Sequence, residues 1–224
     1  MAVEDGAAGS PRAGKFVTLV SWAVICLLAA AFIARYVFPY YLNFSPEGFH
    51  VVYWPRRWGL LAHITTGMTA LALGPVQFWT GLRGLAPTVH RWTGRLYLAA
   101  VAIGSVAGLY LAITTTGGWD YGLGLGSLAV AWAGCALVAY LAIRQRAISL
   151  HRRWMIRTYV VTFAFVIYRL LDEWLPTSQL KPDHDRSVAI AWSCWAIPLL
   201  ITVLVQGLQD VGRGSAPSLS SPHR

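Results

Sequence analysis

Six predominantly apolar runs divide the 224-residue chain: Phe16–Phe38, Trp58–Thr80, Trp92–Thr114, Gly122–Ile143, Trp154–Trp174 and Ser187–Leu208. Each matches the roughly 20 residues that a helix needs to cross a hydrocarbon core. Only helices and closed barrels satisfy their backbone groups in lipid. Barrel strands would be about half as long and would alternate in polarity. The expectation is an all-α, polytopic membrane bundle of six transmembrane helices over residues 16–209. The flanking tails, 1–15 and 210–224, are rich in Gly, Ala, Ser and Pro and are expected to be disordered. Composition agrees: 56% of the residues are apolar and 12% charged, against about a quarter charged in soluble domains. The first run also invites a signal-peptide reading, with Ala29-Ala30-Ala31 as a small-residue cleavage region. Its uncharged stretch from Phe16 to Ala34 exceeds the roughly 7–15 residues of such a segment, so a retained helix is expected.

The short connecting segments set the orientation. Arg12, Lys15, Arg83, Arg91, Arg95, Arg144, Arg146, Arg152, Arg153, Arg157, Arg213 and Arg224 fall on one side, and Arg35, Arg56, Arg57, Arg169, Lys181 and Arg186 on the other. The 12-to-6 split puts both termini in the cytoplasm, with Arg56 and Arg57 as the main evidence against. The net charge of +9 is scattered through these segments, which suits anionic lipid at the cytoplasmic face and offers no basic groove for nucleic acid. Cys26, Cys135 and Cys194 lie in three different apolar runs, so they read as small buried hydrophobes rather than as a disulfide framework or zinc ribbon.

Tyr40, Tyr41, Phe44, Phe49, Tyr53 and Trp54 crowd the segment between the first two runs. They read either as an interfacial aromatic belt or as a lid over an external cavity. A repeat is also visible. Trp92-Thr93-Gly94-Arg95-Leu96-Tyr97 and Trp154-Met155-Ile156-Arg157-Thr158-Tyr159 share Trp-x-x-Arg-x-Tyr, each preceded by His-Arg at His90-Arg91 and His151-Arg152. Two parallel copies of a helical hairpin would produce this pattern, and so would chance similarity between two interfacial helix starts.

His63, Gly74-Pro75-Val76-Gln77-Phe78, His90-Arg91-Trp92-Thr93-Gly94-Arg95-Leu96-Tyr97 and His151-Arg152-Arg153-Trp154-Met155-Ile156-Arg157 together resemble a bacterial membrane-protein family catalogued as domain of unknown function 2306. The resemblance covers about residues 60–171. It implies a multi-helix protein of the bacterial cell membrane and supplies no activity.

Ionisable groups at membrane depth are candidates for function. His63 heads a helical face through Gly67, Ala70, Gly74 and Gln77. The small residues on it predict close helix contacts at Gly67 and Gly74 or room for a flat ligand. Arg169 and Asp172, three apart, can pair with each other. His90 and His151 should lie at similar depth, where two imidazoles could ligate one haem b, with Arg95 and Arg157 available to its propionates. His63 is about 25 Å along its helix from that level and cannot share the iron.

Two function classes follow. One is non-enzymatic: a small-molecule permease or membrane assembly partner. The other is a b-type haem redox protein with one cytoplasmic-side haem. The non-enzymatic reading leads at this stage, because packing, lipid contact or self-pairing accounts for every candidate residue. No H-E-x-x-H, phosphate-binding glycine loop or Gly-x-Ser-x-Gly elbow is present.

Overall fold

The computed structural model describes residues 11–84, 86–174 and 183–214. It is helical, with no strand among the described residues. Helix α1 (Pro11–Phe32) passes through a π turn (Ile33–Val37) into α2 (Phe38–Leu42). Next come α3 (His50–Tyr53) and a 3-10 turn (Trp54–Arg56). The long helices α4 (Arg57–Arg83), α5 (Pro87–Ile113) and α6 (Trp119–Arg144) follow. After them come α7 (Ile148–Thr162), α8 (Ala164–Trp174) and α9 (Asp183–Gly214). Six spans are long and apolar enough to cross a membrane: Thr18–Leu42, Val51–Gly81, Pro87–Ile113, Trp119–Arg144, Ile148–Trp174 and His184–Gly212. Each contains most or all of one apolar run. This is a polytopic, all-α membrane bundle.

The helices run past the apolar runs because charged and aromatic residues at the rim can stay helical while their tips reach polar surroundings. The fifth span therefore starts at Ile148, ahead of Trp154. The first helix starts at Pro11, inside the segment that composition assigns to a tail, and α9 runs to Gly214. Residues 1–10 and 215–224 lie outside the described residues.

Helix α4 ends where Gly84 adopts φ +62° and returns its N–H to Thr80, a left-handed cap that glycine adopts without strain. Pro87 then opens α5. Helices α4, α5, α6 and α7 pack in sequence, and α4 also meets α7. They form a four-helix ring in which α5 and α7 stand across a diagonal. Helix α9 covers α6, α7 and α8, while α1 lies against α4 and α8 through Trp22 and Phe78, whose rings are 5.3 Å apart.

Between α7 and α8 the helix breaks at Phe163, whose N–H reaches the Tyr159 and Val160 carbonyls at 3.1 and 3.2 Å. No proline or glycine marks this position.

The aromatic segment is a small folded unit. Phe49 is fully buried and meets Tyr40, Phe44 and Trp54 at 5.2, 5.3 and 5.9 Å between ring centroids. Phe49 is the centre of an aromatic cluster, while Tyr41, Phe44 and Tyr53 around it stay exposed, as interfacial aromatics do. Cys135 and Cys194 are buried as expected, but Cys26 is exposed on α1, whose outer face has no protein neighbour to cover it.

Candidate functional site

The Gly74-Pro75-Val76-Gln77-Phe78 segment of α4 organises the interior. Pro75 has no N–H to offer the Leu71 carbonyl four residues back. The Tyr159 hydroxyl of α7 donates to that carbonyl instead, at 3.3 Å. A Cβ on Gly74 would collide with the Tyr159 ring, so glycine is what lets the ring approach. Gln77, 5% exposed, donates through Nε2 to the His90 carbonyl at 3.1 Å and to Thr93 Oγ1. Phe78 packs on Tyr159 at 5.5 Å. Every residue of the segment except Val76 thus has an interhelical task. Gly67 is different: a Cβ there meets nothing within 4 Å. The expected close contact at Gly67 is absent: this glycine shares its helical face with Gly74, but no neighbour closes on it.

The three membrane histidines share one arrangement. His63 Nδ1 lies 2.9 Å from the Gly104 carbonyl, and His151 Nδ1 lies 2.8 Å from the Ala139 carbonyl. A carbonyl only accepts, so both Nδ1 atoms carry the proton. At His90 the partner is Thr80 Oγ1, 3.0 Å away. The Thr80 hydroxyl already donates to the Val76 carbonyl at 2.8 Å, so its oxygen accepts from His90 Nδ1. In the His63 and His151 rings the neutral Nε2 is left with a lone pair and no hydrogen-bond partner among the described residues, while the His90 ring also has the Gln77 carbonyl within reach. This is the tautomer that ligating histidines adopt when a second hydrogen bond orients the ring.

The two repeat copies fold alike. Each histidine opens the second helix of a hairpin and is tied to the first: His90 to α4, His151 to α6. Arg95 lies over Trp92 at 4.9 Å, and Arg157 over Trp154 at 4.3 Å. Tyr97 and Tyr159 are both buried and both donate or accept across the ring of helices. His90 and His151 come within electrostatic reach of one another across the α5–α7 diagonal. The copies differ in their surroundings: Arg95 is exposed, whereas half-buried Arg157 donates through Nε to Gln206 of α9 at 2.9 Å.

His63 lies in the other half, with Trp132 and Phe165 at 6.4 and 5.9 Å between ring centroids. Arg169 and Asp172 do pair, at 3.7 Å, but the nearer partner of Asp172 is Arg186 of α9 at 3.1 Å. The expected self-contained pair is therefore a three-residue cluster. Arg169 also faces the Tyr36 ring at 4.9 Å. Sequence spacing could not bring in Arg186, which arrives from another helix.

Three uncharged residues make interhelical bonds that spacing does not predict; Thr162, on the helical face headed by His151, also bonds back to the Thr158 carbonyl at 2.8 Å. Thr162 accepts from Trp132 Nε1 at 2.8 Å and bonds the Tyr97 hydroxyl at 2.9 Å, joining α5, α6 and α7. Gln206 and Thr80 complete the set. None carries a charge, so only their position inside apolar helices could have signalled them. Among the described residues no group of three or more His, Cys, Asp or Glu could hold a metal ion.

No curated protein and no solved structure matches this chain. The family model described as "Predicted membrane protein (DUF2306)" matches residues 60–206, which takes in α4 to α8 and most of α9. The chain belongs to this family of membrane proteins.

Proposed function

We propose that this protein is a b-type haem membrane protein with one haem held by His90 and His151. One observation carries the reading: both rings are fixed by Nδ1–H bonds at the same end of the bundle, on helices that stand across a diagonal. Packing explains the Nδ1 bonds but assigns nothing to the His151 Nε2 lone pair, which suits haem iron. Arg95 and Arg157, further along the same two helices and steadied on tryptophan faces, would meet the propionates. When bound, the haem would supply one-electron chemistry. The chain's own contribution is to hold the tautomer and orientation of both imidazoles.

The end rich in arginine faces the cytoplasm of a bacterial cell, and both termini lie there. Anionic lipid headgroups meet Arg91, Arg95, Arg152 and Arg153 at this rim. Reporter fusions at Gly14, Gly84, Gly118 and Gly214 test the orientation; periplasmic activity at Gly84 or Gly214 overturns it.

A reduced-minus-oxidised absorption spectrum of protein purified from haem-replete cells tests the haem. The expected result is a b-type spectrum that His90→Ala and His151→Ala each abolish or strongly alter, and that His63→Ala leaves intact. Haem-free wild-type protein overturns the reading. It would leave the non-enzymatic alternative, a membrane assembly partner or small-molecule permease. A groove of about 960 Å³ between α5 and α6 favours the assembly role, since Ala112, Gly122 and Gly126 in its lining leave room for a partner helix.

A further inference from the structure

The half of the bundle away from His90 and His151 contains a second set of polar groups that packing does not use up. His63 is the deepest. Its Nδ1–H is committed to the Gly104 carbonyl, so its Nε2 can only accept. Helix α5 makes room for this ring with two glycines. A Cβ on Gly108 would stand 3.0 Å from His63 Cε1, and one on Gly104 would stand 2.7 Å from Thr66 Oγ1 and 2.9 Å from the Trp132 ring.

The aromatic walls lead from His63 to hydroxyl groups. Phe165, beside His63, stacks on Tyr168 at 5.8 Å with an interplanar angle of 27°. The Tyr168 hydroxyl lies 3.5 Å from that of Tyr121, at the outer limit of a hydrogen bond. Neither hydroxyl has a better partner among the described residues. In a low-dielectric interior such weakly satisfied groups favour a ligand that can bond them. The aromatic segment borders this half of the molecule: the Tyr41 hydroxyl lies 2.5 Å from Thr65 Oγ1, two residues beyond His63. A groove of about 720 Å³ is lined by Gly59, Ala62, Ala102 and Ala107 on α4 and α5, and Ala62 precedes His63 in the chain.

We propose that His63, with Tyr121 and Tyr168, forms a binding site for a lipid-soluble phenol or hydroquinone. Its hydroxyl donates to His63 Nε2 while its ring lies among Phe165 and Trp132. The site needs an apolar body, because its walls are aromatic and the helices that carry it are apolar spans. It needs a donor, because Nε2 offers only a lone pair. Among the described residues His63 belongs to no group of three or more His, Cys, Asp or Glu that could hold a metal ion. The site is separate from the proposed haem ligands and does not depend on them.

Two probes of nearly equal size separate donor recognition from partitioning into lipid: 4-nonylphenol and its methyl ether, 4-nonylanisole, which cannot donate. Titrated calorimetrically into purified wild-type protein, the phenol should bind about tenfold more tightly than the ether, the worth of one hydrogen bond. His63→Phe should erase this preference, and His90→Ala should keep it. A measurement on unaltered protein guards against misfolding of the variant. In 15N-histidine-labelled wild type, saturating phenol should shift one imidazole Nε2 resonance that the ether leaves in place. Equal binding of phenol and ether, a preference that survives His63→Phe, or no Nε2 shift with phenol overturns the proposal.

Discussion

The two copies of Trp-x-x-Arg-x-Tyr make a natural comparison. Both stack arginine on tryptophan, bury tyrosine and tie the leading histidine to the preceding helix. The first copy faces lipid at its rim, and Arg95 remains exposed. The second lies beneath α9, where Gln206 binds Arg157 and also donates to the Arg153 carbonyl at 3.3 Å, while Arg153 pairs with Asp210. The tyrosines differ too. Tyr97 joins the Thr162 node at 2.9 Å, and Tyr159 reaches a proline-freed carbonyl at 3.3 Å. Local sequence thus fixes the shape of each copy, and the helix packed outside it fixes how strongly that shape is held.

The largest expected effect tests the seat of the second tyrosine. Gly74→Leu overpacks the Tyr159 contact and should destabilise the protein by about 1–3 kcal/mol, whereas Gly67→Leu should melt like wild type in detergent. Equal melting of the two variants would break the assignment. Next comes the node that joins the copies. Thr162→Val strands the Trp132 and Tyr97 donors, and interhelical bonds in membranes average roughly 0.6 kcal/mol each, so about 1–2 kcal/mol should be lost. A blue shift in Trp132 emission measured in a single-tryptophan background would accompany it.

The direct comparison of the tyrosines is smaller. Tyr97→Phe should cost about 0.6 kcal/mol, and Tyr159→Phe less, because its bond is longer; denaturation by a graded detergent mixture ranks them. The smallest contrast is between the arginines. Arg157→Leu should lower the melting temperature slightly through loss of Gln206, and Arg95→Leu should leave it unchanged. The reverse order would show that α9 does not hold the second copy.

The six spans were legible because crossing lipid constrains length and composition together, and both are written along the chain. Their ends were less legible: residues such as His151 and Arg152 look like loop in composition, yet a helix rim accommodates them. The break at Phe163 has no Pro or Gly to announce it. The repeat placed His90 and His151 at equivalent helix starts, and each does open the second helix of a hairpin. Their tautomers depend on Thr80 and Ala139, which carry no chemistry that a motif could flag. Likewise Arg169 and Asp172 were found by their spacing of three, while Arg186 required the fold.

The contacts made by the first helix have a consequence for assembly. Arg35 meets Glu173 at 3.1 Å, and Tyr36 donates to the same carboxylate across a separation of 137 residues. A ribosome delivers the N-terminal end first, so α1 enters the membrane long before its acidic partner has been made. The hairpins α4–α5 and α6–α7 can each close as soon as they emerge, since their contacts are between neighbours in the chain. Helix α1 is therefore among the last of these helices to reach its final place, and a nascent chain stopped before Glu173 carries Arg35 without the carboxylate that later neutralises it.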